Sequence, residues 1–145
     1  AAALLSNVGL FVSHSGHHKH SYYVIRNSEH LMGFTDREIE LIAQVARYHR
    51  KSQPSEDKHA EFAALAEADR HRVRSMAGVR RVAIGLDRNH DGAVDQVEVR
   101  VEDGRAVLRL VAVEDDGDLT LERYSADHRS SLLSQQLGCE VVVEA

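Results

Sequence analysis

The chain has no tryptophan, one proline and one cysteine, and each scarcity removes a class of explanation. A lone Cys139 can form neither an internal disulfide nor a Cys-rich zinc site, so a reducing, cytoplasmic setting is expected. Cys139 sits between Gly138 and an apolar run, which fits a structural thiol better than a nucleophile. No apolar run approaches the roughly 20 residues of a membrane span, so no membrane partner is expected. The opening Ala1-Ala2-Ala3-Leu4-Leu5 lacks a basic leader and a cleavage pattern, and it also lacks methionine and an N-cap. It reads as the middle of an amphipathic helix, so the chain is expected to be a piece of a longer protein. There is no phosphate-cradling glycine loop and no Ser-His-Asp or Cys-His arrangement that sequence alone justifies. No catalytic residue is assigned.

What is present is unevenly spread. Residues 1–91 carry 13 Lys and Arg against 11 Asp and Glu, together with nine of the ten histidines. Residues 92–145 carry 5 against 12. A weakly basic, His-rich first part and an acidic second part predict two units, 1–91 and 92–145. A nucleic-acid domain would be far more basic, so no nucleic-acid partner is expected.

The first part reads as helical. Residues 1 to about 12 have helical apolar spacing, a His-rich turn follows, and Tyr22 to Ser28 form a short helix. Thr35 and Glu38 have the spacing of a capping box, ahead of the stripe Ile39, Ile42, Ala43 and Ala46. Cations Arg47, Arg50 and Lys51 suit the end of that helix, and Pro54 stops it. Ala60 to Ala68 and Asp69 to about Leu86 continue helical. From Val94 the pattern alternates, turns at Glu102-Asp103-Gly104 and returns through Val107 to Val111 as a hairpin. A third strand at Leu119–Tyr124, a helix from Ser125 to Leu137 ended by Gly138, and a strand from Cys139 to Val143 complete the reading. The fold class is α+β, a helical domain followed by a βββαβ module with an antiparallel sheet.

The segment Ser13–Ser21 packs His14, His17, His18 and His20 around Lys19. Neutral histidine ligates metals, and protonated histidine beside lysine attracts anions. No acidic residue occurs before Glu29, so the cluster has no local carboxylate to complete a metal site, and no metal ligand is assigned. The second basic knot, Arg47-Tyr48-His49-Arg50-Lys51, supplies more donors. The expected site is an anion-binding surface of His17, His18, Lys19, His20, Arg47, His49, Arg50 and Lys51. Asp87-Arg88-Asn89-His90-Asp91-Gly92 with Glu98 also satisfies a calcium-loop pattern. Glu98, however, falls on an alternating, strand-like segment, so a helix-to-strand connector is expected.

These runs also resemble a known family. Gly9-Leu10-Phe11-Val12-Ser13, Gly16 to Ile25, Gly33-Phe34-Thr35 with Glu38, Ala46 to Lys51 with Pro54, and Arg81-Val82-Ala83 with Leu86-Asp87-Arg88 are similar to the C-terminal region of the exopolyphosphatase / guanosine pentaphosphate phosphatase family. The resemblance implies an HD-like helical fold for the first unit, and an accessory domain that binds inorganic polyphosphate or guanosine pentaphosphate and forms a homodimer. It places catalysis, a phosphoanhydride hydrolysis, in a missing N-terminal half where a divalent metal such as Mg is expected, and none in this chain. Relatives often carry a histidine and an acidic residue where this chain has Ser6-Asn7, and aspartate where it has Ile84. Those positions would hold an HD-type metal, so the fragment alone is predicted to be inactive. A self-sufficient HD-like metal-dependent phosphohydrolase is the alternative.

Overall fold

A computed structural model describes residues 1–50 and 52–145. Among these the order is α1 (Ala2–Leu5), a 3-10 turn (Val8–Phe11), α2 (His17–Arg26), α3 (Asp36–Arg47), α4 (Ala60–Ala63), α5 (Glu67–Leu86), β1 (Val94–Glu102), β2 (Arg105–Ala112), α6 (Thr120–Asp127), α7 (Ser131–Leu137) and β3 (Glu140–Glu144). The chain divides into two compact units, Ala1–Ala77 and Gly78–Ala145. α5 contributes its first part to one and its second part to the other.

In the first unit, α3 starts where its capping residues dictate. Glu38 N–H donates to Thr35 Oγ1 and Thr35 N–H donates to the Glu38 carboxylate at 2.7 Å, which satisfies two backbone donors the helix cannot. The buried face of α3, with Ala43 and Ala46, packs with Ile25 of α2 and with Leu5, Val8, Tyr22, Leu31, Ile39 and Ile42. The opening is shorter than its spacing predicts: α1 ends at Leu5 and a 3-10 turn replaces the second half of the helix. The alanine-rich helix is also shorter, ending at Ala63. The His-rich segment is not a turn. Gly16 takes the left-handed conformation (φ 66°) and α2 begins at once with His17, so the histidines occupy a helical first turn.

The beginning of α5 is tied to α3 by a carboxylate. Arg37 Nε and Nη2 donate to Asp69 Oδ2 and Oδ1 at 2.7 Å each, and Arg72 Nη1 adds a third bond of 2.7 Å. Hydrogen bonds from Arg37 hold the Asp69 carboxyl at about 2. A depressed pKa means the native state binds fewer protons than the unfolded one. The stabilisation is therefore complete above the ordinary aspartate range and is lost as pH falls toward 2. Asp69→Asn is expected to lower the melting temperature at neutral pH and to flatten the loss of stability between about pH 4 and about pH 2. An unaltered acid limb in thermal melts would remove Asp69 from this role.

The second unit is built on a hairpin. Asp103 (φ 49°) and Gly104 (φ 74°) make its two-residue turn, and the positive angles match the twist of the flanking strands. The pairing runs from Glu102↔Arg105 to Val94↔Ala112, antiparallel, as the alternation predicts. The last strand departs from expectation. β3 lies parallel to β2, with Arg105↔Glu140 through Arg109↔Glu144, so the sheet is mixed with order β1-β2-β3. The reason is that Leu119–Tyr124 is not a strand. Thr120 N–H donates to Asp118 Oδ1 at 2.9 Å, α6 starts there, and Leu119, Glu122, Ser125 and Ala126 are buried at helical intervals. A second helix, α7, follows, so the expected Ser125–Leu137 helix is two pieces and the module is ββααβ. Such a helical crossover returns the chain in the direction of β2, which a tight turn cannot do. Ala106, Leu108, Leu110, Leu119, Ala126, Leu133, Val141 and Val143 form the core with Val82, and half-buried Cys139 packs against it. The segment between α5 and β1 is a helix-to-strand connector, with Glu98 on β1 and 3.7 Å from Arg109.

Candidate anion-binding site

α2 begins beside the place where α3 ends. His17 and His49 are both buried, and their Nε2 atoms lie 3.3 Å apart. His49 Nδ1 faces the Ala46 carbonyl and must donate to it, which leaves His49 Nε2 as an acceptor in the neutral ring. His17 then donates from Nε2, and its Nδ1 can accept from Arg50 Nη1 at 3.4 Å. The His14 carbonyl, 3.2 Å from the same Nδ1, accepts from it only in a ring form that carries a proton on Nδ1. This pair braces the two helix ends.

Beside the brace is a cavity of about 220 Å³, lined by His18, Lys19, Arg47, Tyr48, Ser52, Lys58 and His59. Two histidines and three cations face one small space. Arg47 is oriented by Glu61 at 3.2 Å and lies over the rings of Tyr22 and Tyr48, 5.2 and 5.7 Å from their centroids. Tyr48 is buried edge-on against Phe62, and burial pushes its phenol up to about 12, so it stays neutral. His59 Nδ1 accepts from Ser55 N–H at 3.2 Å, which leaves the proton of the neutral ring on Nε2 as a donor. Burial first, then Arg47, holds the His59 pKa below the ordinary histidine value. His18 is lowered likewise, by burial first and then by His17, Arg50, Lys19 and Arg47. Its Nδ1 is buried and has no hydrogen-bond partner among the described residues. A space ringed by cations and N–H donors is suited to hold an anion.

Of the residues expected from sequence, His18, Lys19 and Arg47 line this cavity, while His17 and His49 form the brace and Arg50 is exposed next to it. His20 is half-buried and does not line it. Lys51 lies outside the described residues. Ser52, Lys58 and His59 were not anticipated, and the adjacent Lys58-His59 was the available signal, a third basic and His-bearing knot. Ser6, at a would-be metal position, is fully buried and donates to Ala2 O at 2.6 Å. Among the described residues no three His, Cys, Asp or Glu side chains converge as a metal site would need. No helix among them is long and apolar enough to cross a membrane.

The chain is similar to the guanosine-5'-triphosphate,3'-diphosphate pyrophosphatase of Pseudoalteromonas translucida (strain TAC 125), 40% identical over 50 residues. That stretch is 34% of this chain and spans about a tenth of the relative's length, 10%. Residues 1–135 match the family described as Ppx/GppA phosphatase, domain III, and the chain belongs to that family.

Proposed function

We propose that this chain is an accessory domain of an exopolyphosphatase-like phosphohydrolase and that the cavity between α2, the end of α3 and residues 52–59 holds a phosphate group of a polyanionic substrate. The substrate class is inorganic polyphosphate or the phosphate tail of a guanosine polyphosphate. The observation that carries this reading is the convergence of Lys19, Arg47, Lys58, His18 and His59 on one space. Lys19 and Lys58 supply charge, Arg47 a planar fork already aimed by Glu61, and His59 a neutral Nε2–H donor. These groups bind and orient, and cleavage of the phosphoanhydride belongs to another part of the parent protein.

The pH dependence follows from the two cavity histidines. With both pKa values depressed, the free domain loses stability as pH falls below the ordinary histidine range, because the unfolded chain takes up protons first. A bound anion reverses that balance by favouring the protonated rings. Long-chain polyphosphate titrated into the chain is therefore expected to bind more tightly at about pH 5.5 than at about pH 7.5. Its affinity should fall as salt rises from about 50 mM to about 200 mM. Affinity that ignores both pH and salt, or no binding at low salt, would overturn the proposal.

A further inference from the structure

His17 has two partners at one ring nitrogen, and they require opposite proton states. Its Nδ1 lies 3.4 Å from Arg50 Nη1 and 3.2 Å from the His14 carbonyl oxygen. Its Nε2 is committed to His49, whose own Nδ1 donates to the Ala46 carbonyl. In the neutral ring the proton therefore sits on Nε2 and Nδ1 carries a lone pair. Arg50 can donate to that lone pair, while the His14 carbonyl faces it unfavourably. A second proton on the ring reverses both contacts. Nδ1–H then donates to His14, and the guanidinium, which has only donors, meets the N–H of another cation. The surroundings of the ring are cationic. α2 packs against α3 and the 3-10 turn, and that turn, Val8–Phe11, carries no titratable side chain. The end of α3 and the residues after it bring His49, Arg50 and Arg47. On its own segment His17 faces the rings of His14 and His18, with centroids 6.0 and 6.2 Å away. The carboxylates of these elements are engaged elsewhere, Asp36 and Glu40 with Arg26, Glu38 with Thr35 and Glu61 with Arg47. Among the described residues none pairs with His17.

We propose that His17 is a proton-operated latch on the anion cavity: neutral, it holds Arg50 back, and protonated, it turns to the His14 carbonyl and releases Arg50 to join Lys19, Arg47 and Lys58 on the bound phosphate. The inference rests on the anion-binding reading and adds the regulation of that site. Arg50 is exposed, one residue past the buried His49, and its charge already bears on His18, which lines the cavity. A ligand shifts a two-state equilibrium only through what it contacts in one state and not in the other, and here that contact is Arg50. The bound anion also supplies the negative charge that a protonated His17 lacks in the free chain. Anion binding and proton uptake at His17 therefore favour each other by the same factor. The brace survives the change, because His17 Nε2 donates to His49 in both states.

The test is long-chain polyphosphate titrated at low salt into the unaltered chain and its Arg50 variants, at about pH 5.5 and about pH 7.5. Arg50→Gln is expected to weaken binding about fivefold at the lower pH, the loss of one charged contact, and less than about twofold at the higher, where His17 holds the guanidinium. Arg50→Lys keeps the charge and should return most of the affinity lost at the lower pH. Nitrogen NMR of the His17 ring reads the latch itself. Nδ1 should be bare in the free chain at about pH 7.5 and carry a proton in the polyphosphate complex at about pH 5.5. Equal losses at the two pH values would make Arg50 an ordinary ligand, and no loss at either would put it outside the site. Both results overturn the latch and leave the cavity standing. A proton on Nδ1 in the free chain at the higher pH, or none in the complex at the lower, overturns it as well. A chain that binds no polyphosphate overturns the latch and the cavity together.

Discussion

Replacing Gly9 by alanine is expected to cost the first unit about 3 kcal/mol or more, the upper range for forcing atoms into a packed interior. A Cβ on Gly9 would fall 2.2 Å from the His17 carbonyl oxygen, 2.3 Å from Ser21 N and 2.8 Å from the His20 carbonyl carbon. All three are backbone atoms of α2, so no side chain can swing aside. The approach is held by Ser21, which is fully buried. Its hydroxyl accepts from Gly9 N–H at 2.9 Å and donates to the Ser6 carbonyl at 2.7 Å. Ser21→Ala leaves two backbone groups unsatisfied and is expected to cost about 2 kcal/mol. Gly85→Ala tests the second unit in the same way, since its Cβ would lie 2.5 Å from Ala126 N and Cα. Thermal unfolding followed by circular dichroism reads all three. A Gly9→Ala variant that melts with the unaltered chain would show that the 3-10 turn does not press on α2.

The second large effect is on binding. Lys19→Gln with Lys58→Gln is expected to weaken long-chain polyphosphate binding about thirtyfold at low salt, taking about 1 kcal/mol for each charged contact removed. The two lysines are chosen because both are exposed and lie in different segments, α2 and the stretch before α4. Arg47 is a poorer probe, since it also packs over Tyr22 and Tyr48 and pairs with Glu61. Its replacement would disturb that aromatic packing and the cavity together. The double variant should melt within a degree or two of the unaltered chain, as surface substitutions do. Unchanged affinity with the fold intact would sink the cavity as a polyphosphate site.

Elements that rest on neighbours a few residues apart are legible without coordinates. Thr35 and Glu38 define the start of α3, and Asp103-Gly104 places the hairpin, because each structure is closed by contacts within four residues. Leu119–Tyr124 fails for the opposite reason. Six residues with mixed apolar and polar positions satisfy either period, and only burial of Glu122 and Ser125 reveals the helix. The break between α6 and α7 carries neither proline nor glycine, so nothing local marks it.

By itself, then, the sequence determined the α+β class, the density of histidine and cations in two segments, and the family resemblance that residues 1–135 bear out. The tertiary structure alone decided which of those groups meet. Gly9 has no side chain to announce its contact, yet it lets the 3-10 turn seat on α2. Lys58 and His59, in a stretch without periodicity, reach the same cavity as Lys19 and Arg47 only because the chain folds back past Pro54. His17 and His49 look in sequence like two more free donors, and packing turns them into each other's partners. Local preference acts over one turn of chain, whereas a site assembled from three segments depends on long-range packing.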